Sequence, residues 1–367
     1  MIENIKIQNF KSIKDASIDL GSINVLIGAN GVGKSNFISF FRLLKSLSND
    51  KLNDYVENQG KMDNLIYFGE KVDSDIRGEI TFSEFQNKPY IRYAFDLSAD
   101  NRNLAVIKKE TTSQLMNIND QVNSWRDSPS TNNTEHSLHL LASQQEMKYV
   151  IVRTYFRDFT VYHFHDTSFD APLKKPARIY DHISLHHDGC NLPAFLYYLQ
   201  ERHPQRLYLI EKVIQSIAPF FGKFILKPDR INPESIQLEW LEKGYERHQN
   251  AHNLSDGTLR FIALTTLMLQ PEPPKVIIID EPELGLHPSA IIKLAGLVRK
   301  AAAKSQVIIS TQSVNLMNEF EPEDIIVVDH KNKQSVFKRL DVDKLQIWLE
   351  DYGLAEVWDK GLIGGKP

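Results

Sequence analysis

Residues 23–44 read INVLIGANGVGKSNFISFFRLL, and this stretch decides the fold. The apolar run Ile23–Ile27 predicts a strand, and after a glycine-rich turn the apolar residues recur with helical spacing. The turn, Gly28–Ser35, matches the phosphate-binding loop in full and has the context that this loop requires, after a strand and at the start of a helix. Backbone N–H groups and the Lys34 ammonium would bind phosphates there, and Ser35 would hold Mg²⁺. The stretch therefore predicts an α/β nucleotide-binding protein.

A second motif, residues 276–282, reads VIIIDEP. Four apolar residues predict a buried strand that delivers Asp280 at its carboxyl end, where doubly wound sheets bind their ligands. Asp280 can reach Mg²⁺ through water, and Glu281 is well placed to orient or deprotonate a water that attacks the γ-phosphate. A buried strand that ends in a charged turn explains the apolar residues but not the second acid. The pair therefore predicts hydrolysis of the nucleotide.

A third motif, residues 254–260, reads LSDGTLR and precedes a strongly apolar helix. Ser255 and Gly257 suit a helix N-terminus that accepts an anion. Taken alone, this is only a good helix N-cap. Its position shortly before the acidic strand makes it a candidate contact for the nucleotide.

Composition limits the class of protein. The chain has 367 residues, of which 42% are hydrophobic, so it can form one large domain or two joined ones. Lysine plus arginine (43) nearly balances aspartate plus glutamate (47), so the charge gives no general attraction to nucleic acid or anionic membranes. The lone Cys190 excludes an intramolecular disulfide, and the sequence has neither a signal-peptide pattern nor an apolar run of about 18 residues. We expect a cytoplasmic protein that does not cross a membrane.

The pattern of apolar residues predicts the organisation of the chain. Alternation at 76–82 and 90–97 predicts an antiparallel sheet, and short apolar strands at 276–279, 307–310 and 324–328 between helices predict a parallel sheet covered on both faces. We interpret the polar residues 101–135 as an insertion, with 127–133 as its clearest loop, residues 147–165 as strand-like, and 191–221 as helical. The predicted domains are a discontinuous nucleotide-binding domain (1–100 and 245–345), an inserted middle lobe (101–244) and a tail (346–367).

Together these motifs resemble the ABC-type ATPases of the SMC/RecF-like branch, specifically the predicted ATPases called AAA-21 or OLD-like. The resemblance rests on five segments in the expected order: Asn9–Ser12, the phosphate loop, Leu254–Thr258, Asp280–Pro288 and Ser310–Ser313. It implies an ABC-type P-loop ATPase head with a mixed or antiparallel β-subdomain, a parallel core sheet flanked by helices and an inserted, mostly helical lobe. Residues 187–192, HDGCNL, also resemble this family's DGxNL element.

The resemblance further implies a head-to-tail homodimer, or a higher even-numbered oligomer, that encloses two ATP molecules with Mg²⁺. Ser255 and Gly257 of one subunit would face the γ-phosphate held by the other, and the D-loop, Leu284–His287, would lie at that interface. Catalysis is expected of Glu281, Lys34 and Gln312, and metal binding of Ser35 and Asp280. The residues expected to contact the nucleotide are Lys11, Ser12, Asn30, Gly31, Gly33, Lys34, Ser35, Asn36, Ser255 and Gly257.

The sequence departs from the family in two places. Gln312 stands where most ABC proteins have a histidine, and glutamine can hydrogen-bond to phosphate or water but carries no proton charge. The glutamine that usually senses Mg²⁺ is not evident, and Gln59 is our candidate for it. Other patterns favour ordinary structure: the histidines at 182, 186 and 187 lack companions with metal-ligand spacing, and the aromatic residues from 155 to 164 are typical of a core strand. The acids Asp341 and Asp343 resemble those of TOPRIM nucleases, but too few residues follow for such a domain.

The leading hypothesis is an ATP-driven switch that controls a separate effector, such as a nuclease or toxin in bacterial anti-phage defence. An alternative is a RecF-like protein that clamps DNA under the control of ATP, with the basic residues Lys174, Lys175, Arg178, Arg202 and Arg206. A third is a P-loop kinase acting on a small molecule, which would work as a monomer and have no use for Ser255 and Gly257.

Overall fold

The computed structural model describes residues 1–69, 75–83, 91–118, 122–127, 147–341, 353–361 and 363–365. These residues form two compact units, Met1–Thr160 with Phe320–Pro367, and Val161–Glu319. The predicted insertion of 101–244 stays a prediction, because compactness says which residues pack together and not which segment was inserted.

An antiparallel six-stranded sheet in the first unit has the strand order β2-β1-β4-β5-β6-β7. Along β4 and β5 buried residues alternate with partly exposed ones, as a sheet with one solvated face requires. The predicted strands at 76–82 and 90–97 are thereby confirmed in their described residues. The strands are β1 (Ile2–Phe10), β2 (Ile13–Asp19), β4 (Ile76–Phe82), β5 (Ile91–Ala99), β6 (Ala105–Ile118) and β7 (Val122–Asp127).

Within the polar segment 101–135, residues 105–118 and 122–127 form β6 and β7, which continue the sheet from β5. The strand β6 buries polar side chains, since Glu110 and Thr112 are fully buried. Of the predicted loop 127–133, Asp127 ends β7 and the rest lies outside the described residues.

The first unit also contains the strand of the opening motif. Here β3 (Ile23–Ile27) pairs in parallel with β16 (Ile325–Lys331), which pairs antiparallel with β17 (Gln334–Arg339). All five residues of β3 are buried. The phosphate loop leads into α1 (Lys34–Ser48), followed by α2 (Leu52–Asn58) and α3 (Met62–Leu65).

Aromatic packing holds α1 in place. Phe40 contacts Phe10 edge-on and stacks on Phe95, with ring centroids 5.5 and 6.1 Å apart, and Phe37 lies 5.4 Å from Phe337. These contacts bury one face of α1 in the first unit. The start of the helix, which carries the phosphate loop, is therefore held on a rigid element.

Residues 147–165 do not form the predicted strand. Residues 147–158 form a helix, α4 (Met147–Asp158), and only β8 (Thr160–Tyr162) is extended. The buried side chains Tyr149, Val152, Phe156 and Phe159 recur at intervals of three to four, which is the helical period. The aromatic and β-branched composition suggested a strand, but the spacing was helical. The aromatic residues from 155 to 164 do lie in the core, as expected.

The second unit contains the acidic strand. Its parallel strands are β14 (Val276–Asp280) and β15 (Gln306–Thr311), with Asp280 opposite Ser310 in the register. Every residue of β15 and the first four of β14 are buried, as predicted. Smaller antiparallel pieces are formed by β9 (Ala177–Arg178) with β11 (Ser235–Ile236), and by β10 (Phe221–Ile225), β12 (Glu239–Glu242) and β13 (His248–Asn250).

The helices of this unit are α5 (Leu192–Arg202), α6 (Pro204–Gln215), α7 (Asp256–Leu269), α8 (Pro288–Ala302) and α9 (Val314–Met317). They confirm the helical interpretation of most of 191–221 and the helix predicted before the acidic strand. A last helix, α10 (Leu354–Asp359), belongs to the first unit. The described part of the chain has no helix that is both long enough and apolar enough to cross a membrane.

Candidate functional site

The phosphate loop turns through left-handed glycines. Gly31 and Gly33 have φ values of 78° and 115°, which an L side chain rarely adopts. Gly33 is the N-cap of α1, and a Cβ on it would lie 2.0 Å from Ser335 Oγ. Only glycine fits at this point. The loop therefore presents the N-terminus of a helix and its first N–H groups, which have no partner within the helix, as an anion-binding cradle.

The Lys34 side chain packs into the phosphate loop. Its side chain is buried, and Nζ donates hydrogen bonds to the carbonyl oxygens of Gly28 and Ala29, at 2.5 and 2.9 Å. The ammonium is thus held at the centre of the cradle. Ser35 and Asn30 are exposed, so their side chains are available to a ligand.

Ser12 and Asn36 belong to a chain of hydrogen bonds that supports the phosphate loop. The Asn36 amide donates to Ser12 Oγ at 2.6 Å, Ser12 Oγ lies 2.6 Å from Ser335 Oγ, and Ser335 Oγ donates to the Val32 carbonyl at 2.6 Å. This chain of hydrogen bonds joins β17 to the phosphate loop. Ser335 carries no motif in the sequence, and no signal there could have identified it.

Lys11 makes a different set of contacts. Its Nζ donates to Ser39 Oγ at 2.8 Å and to Gln59 Oε1 at 2.9 Å, and its backbone has a φ of 53°. Burial lowers the pKa of the Lys11 ammonium, and the charge of Arg42 lowers it further. Ser39 is one turn beyond Ser35 on α1, so the structure brings Gln59 to the face of the helix that carries Ser35. This placement is compatible with the expected role of Gln59, which stays a prediction.

At the end of the acidic strand, Glu281 is held in a tight turn. It has a φ of 43°, and its backbone N–H donates to the Ser310 carbonyl at 2.8 Å. Its carboxylate Oε1 accepts a hydrogen bond from Gln312 Nε2 at 2.5 Å. A non-glycine residue in this conformation is strained, and such strain is typical of functional sites. The structure therefore joins the two residues that were predicted as base and phosphate sensor.

The Asp280 side chain is partly exposed at the end of β14. His165 Nε2 lies 2.8 Å from the main-chain carbonyl oxygen of Asp280, and because a carbonyl only accepts, the His165 proton is on Nε2. These residues line a small pocket together with Phe164, Arg260, Leu264, Ile279, Glu281 and Pro282. The sequence did not point to His165.

Glu283, two residues after Glu281, is half-buried. Its Oε1 accepts from the Thr311 hydroxyl at 2.5 Å, while Oε2 is buried with no hydrogen-bond partner in the part of the chain that the structure describes. Burial raises the pKa of the Glu283 carboxyl, an effect that the Thr311 hydrogen bond partly offsets. This contact fixes the start of the D-loop to the end of β15.

The third motif forms the predicted helix N-terminus. Ser255 caps α7, with its Oγ 3.2 Å from the Thr258 amide nitrogen that donates to it, and the residue is exposed. A Cβ on Gly257 would lie 2.4 Å from the carbonyl oxygen of Gly285 in the D-loop, so only glycine allows this approach. The motif and the D-loop thus form one surface of the second unit.

Arg260 joins the parts of this surface. Its guanidinium donates to the carbonyl oxygens of Phe164, His165 and Leu284, at 3.1, 2.7 and 2.7 Å. The guanidinium carries several N–H donors in a rigid plane, which suits three carbonyl oxygens in fixed positions. Lysine could not replace Arg260 here. Arg260 ends the third motif, so the sequence contained this signal, but we gave it no role.

The DGxNL element also has a structural role. Asn191 is fully buried, and its amide bonds to the backbones of Asp181, Ser184 and His186 at 2.8 to 2.9 Å. It therefore holds the loop 181–190 in one conformation. The expectation that the nearby histidines lack metal-ligand companions was wrong for His186, because Asp188 and Cys190 lie beside it.

Among the basic residues of the DNA-clamp alternative, Lys174 is not a surface group. Its side chain is 9% exposed, and Nζ donates to the Thr167 carbonyl at 2.5 Å and lies 3.5 Å from Asp256. Lys175, Arg178 and Arg202 are exposed. Asp341 is described, whereas Asp343 lies outside the described residues.

In each unit the donor groups are of the chemical types that bind phosphate or Mg²⁺. Ser35 and Asp280 offer a hydroxyl and a carboxylate, the oxygen ligands that Mg²⁺ prefers, and neither side chain is buried. The left-handed glycines and the buried ammonium provide the phosphate cradle.

The comparisons agree with this chemistry. Residues 23–318 match the sequence profile of a family described as "AAA domain, putative AbiEii toxin, Type IV TA system". A curated relative, the "Probable ABC transporter ATP-binding protein p29" of Mesomycoplasma hyorhinis, is 35% identical over 103 residues, which are 28% of this chain and 38% of that protein. The match thus spans well under half of the relative's length.

Solved structures show the same fold. A Smc head bound to the C-winged helix domain of ScpA has a TM-score of 0.64 at 16% identity, covering 94% of this chain and 99% of that one. A Smc head with an extended coiled coil, bound to the C-terminal domain of ScpA and derived from Pyrococcus furiosus, has a TM-score of 0.57 at 15% identity, covering 95% and 98%. From the family match over most of its length, the chain belongs to the AAA_21 family, and it shares the fold of the Smc heads.

Proposed function

We propose that the protein binds and hydrolyses ATP with Mg²⁺ and works as a switch that closes into a head-to-tail dimer. The observation that carries the hydrolysis is the Glu281 carboxylate, which sits on a strained turn at the end of a buried strand and is held by the Gln312 amide at 2.5 Å. A carboxylate oriented in this way is suited to position water and accept its proton.

In this mechanism Lys34 turns from the Gly28 and Ala29 carbonyls to the phosphates, and the first N–H groups of α1 donate to the same oxygens. Ser35 and Asp280 would hold Mg²⁺, which supplies positive charge to the phosphate oxygens when bound. Glu281 orients the attacking water and takes up its proton, while Gln312 fixes the carboxylate. The strain at Glu281 is compatible with a group that is positioned before the reaction.

Dimerisation is supported by the surface formed by Ser255, Gly257 and the D-loop. Ser255 is an exposed N-cap, and among the described residues its hydroxyl bonds only to Thr258 in its own turn. The helix N-terminus favours an anion, and Arg260 holds it against the D-loop. In our proposal this surface meets the γ-phosphate bound by a second copy, and ATP drives closure by its higher affinity for the closed state.

We further propose that the closed dimer controls a separate effector, a nuclease or toxin in bacterial defence against phage. The support is the family's description, which refers to a toxin and a toxin–antitoxin system. Affinity capture tests this step with the Glu281→Gln protein and MgATP as one bait and the Lys34→Ala protein as the other. A partner held by the first bait alone supports control by ATP, and a partner held equally by both contradicts it.

The decisive experiment for the switch is Glu281→Gln, which removes the proton acceptor but keeps the shape of the side chain. We expect ATP to bind, turnover to stop, and the variant to elute as a dimer, or a larger even-numbered assembly, only with MgATP. Size-exclusion chromatography with light scattering measures the assembly, and a phosphate-release assay measures turnover. A monomer that still hydrolyses ATP would refute both the interface and the assigned base.

A further inference from the structure

We propose that His186, Asp188 and Cys190 form a binding site for a divalent transition-metal ion of the zinc class, in the loop before α5. One ligand atom from each residue lies within 4.8 Å of the others, and His186 Nδ1 is 3.2 Å from Cys190 Sγ. In a tetrahedral zinc site, neighbouring N, O and S ligand atoms are about 3.5 Å apart, given Zn–N and Zn–S bonds of about 2.0 and 2.3 Å. Small side-chain movements therefore suffice to bring the three atoms around one ion.

The histidine is oriented as a metal ligand. Its Nε2 lies 3.1 Å from Asp181 Oδ1, and because a carboxylate only accepts, the neutral ring carries its proton on Nε2. The lone pair of Nδ1 then points toward Cys190. A histidine that gives its second N–H to a carboxylate is the usual arrangement around protein-bound zinc, where the carboxylate fixes the ring and raises its basicity.

The backbone of the loop is preformed. Asn191 bonds to three of its backbone groups, and Asp188 Oδ1 accepts from the Cys190 N–H at 3.1 Å, which sets the carboxylate beside the thiol. Gly189 has a φ of 73°, and a Cβ there would lie 2.4 Å from Leu173. The alternation of ligand and spacer residues in a tight turn thus directs all three ligand side chains to one side. A preformed loop lowers the entropic cost of binding.

The donor set decides the class of metal. One nitrogen, one carboxylate oxygen and one sulfur suit Zn²⁺ and disfavour Mg²⁺ and Ca²⁺, which prefer oxygen alone. On binding, the S–H bond of Cys190 breaks, its proton passes to solvent, and the thiolate electron pair forms the bond to the metal. Three protein ligands leave a fourth position for water. The ligands of this site take no part in the proposed ATP site, so a test that refutes one of the two proposals leaves the other standing.

Cobalt provides the test, because Co²⁺ takes the tetrahedral site of zinc and absorbs light. Chelator-treated, reduced protein without nucleotide is titrated with Co²⁺. We expect a near-ultraviolet thiolate-to-cobalt band and visible bands that saturate at one ion per chain and disappear when Zn²⁺ is added. Cys190→Ser should lose the thiolate band, and His186→Gln and Asp181→Asn should weaken binding roughly 10-fold or more.

His187→Ala is the matched control, since His187 is an exposed neighbour outside the cluster and its loss should leave the titration unchanged. If the variants fail to fold, protection of Cys190 from alkylation by Zn²⁺ in the unaltered protein decides instead. The proposal is overturned if the unaltered protein shows no thiolate band, if Cys190→Ser binds Co²⁺ with the same spectrum, or if Zn²⁺ leaves the alkylation rate unchanged.

Discussion

Gln312 stands where the family resemblance leads one to expect histidine, and the structure relates it to Glu281. Its amide donates to the Glu281 carboxylate, so in the proposed mechanism it positions the base. An amide holds its hydrogen bond over the whole working pH range, whereas a histidine would titrate within it. The departure from the family pattern therefore keeps the orientation of the base independent of pH.

Gln312→Ala should lower kcat for ATP hydrolysis roughly 100-fold, the scale for loss of one preorganised hydrogen-bond donor. ATP affinity should change little, because the bond reaches Glu281 and not the ligand. Steady-state kinetics together with nucleotide titration separate the two effects. Asn315→Ala is the control, as Asn315 is exposed on α9. A loss of affinity with unchanged kcat would mean that Gln312 serves binding instead.

Gly33 shows how strictly one position of the phosphate loop is determined. Gly33→Ala places a Cβ 2.0 Å from Ser335 Oγ at a φ of 115°, so we expect a cost of about 1–3 kcal/mol and loss of ATP binding. Gly296→Ala is the matched control, because Gly296 lies in α8 with nothing within 4 Å of an added Cβ. There alanine should stabilise by about 0.5–1 kcal/mol. Urea unfolding and nucleotide titration measure both, and equal behaviour of the two variants would contradict the argument.

Among the elements, β6 shows how a polar stretch can form a strand of the sheet. Glu110 is fully buried in the antiparallel sheet, and its Oε1 accepts from the Tyr93 hydroxyl at 2.8 Å. Burial raises the pKa of Glu110 to about 7, and the Tyr93 hydrogen bond lowers it in part. The hydrogen bond from Tyr93 on the neighbouring strand satisfies the buried carboxyl group, and the composition of the segment does not reveal this partner.

Glu110 should make the stability of the protein fall as the pH rises. The pKa of Glu110 in the folded state, about 7, lies above its ordinary value of 4.5, so between these pH values the folded state keeps a proton that the unfolded state has released. The loss should approach on the order of 3 kcal/mol above pH 7. Glu110→Gln cannot titrate, so its free energy of unfolding should gain on that of the unaltered protein between pH 5 and 8. Parallel curves for the two proteins would refute the buried acid.

The helix α7 and the D-loop are held together by direct contacts. Gly257 allows the two backbones to approach, and Arg260 bonds to the Leu284 carbonyl and to the segment before α5. The sequence predicted both motifs and their order. Their contact, and the role of Arg260 in it, required the tertiary structure, because no local pattern says which carbonyl oxygens a guanidinium will reach.

At the scale of the whole molecule, the proposed dimer can be tested by mixing two inactive proteins. Lys34→Ala cannot bind phosphate but keeps Ser255, whereas Ser255→Arg blocks its own exposed surface but keeps the phosphate loop. If Ser255 acts on the nucleotide of its partner, an equal mixture should regain about a quarter of the normal ATPase rate, because half of the dimers then hold one complete site out of two. Each protein alone is the control. No recovery would place Ser255 outside the partner's site.

Local rules in the sequence suffice for the elements that follow a strong pattern. Strands such as β3, β14 and β15 consist mainly of apolar residues, and the phosphate loop, the acidic strand and the N-cap at Ser255 each follow from residue types at fixed spacing. These are short-range patterns, in which the decisive residues are neighbours along the chain.

Contacts between residues that are distant in sequence could be known only from the folded protein. Folding buried Glu110 in a sheet, placed Ser335 next to the phosphate loop, and brought Arg260 to the carbonyl oxygens of Phe164 and His165. In each case the free energy comes from groups far apart in sequence, so a local pattern contains no information about it. The motifs can therefore be predicted from the sequence, whereas the contacts that orient them depend on long-range packing.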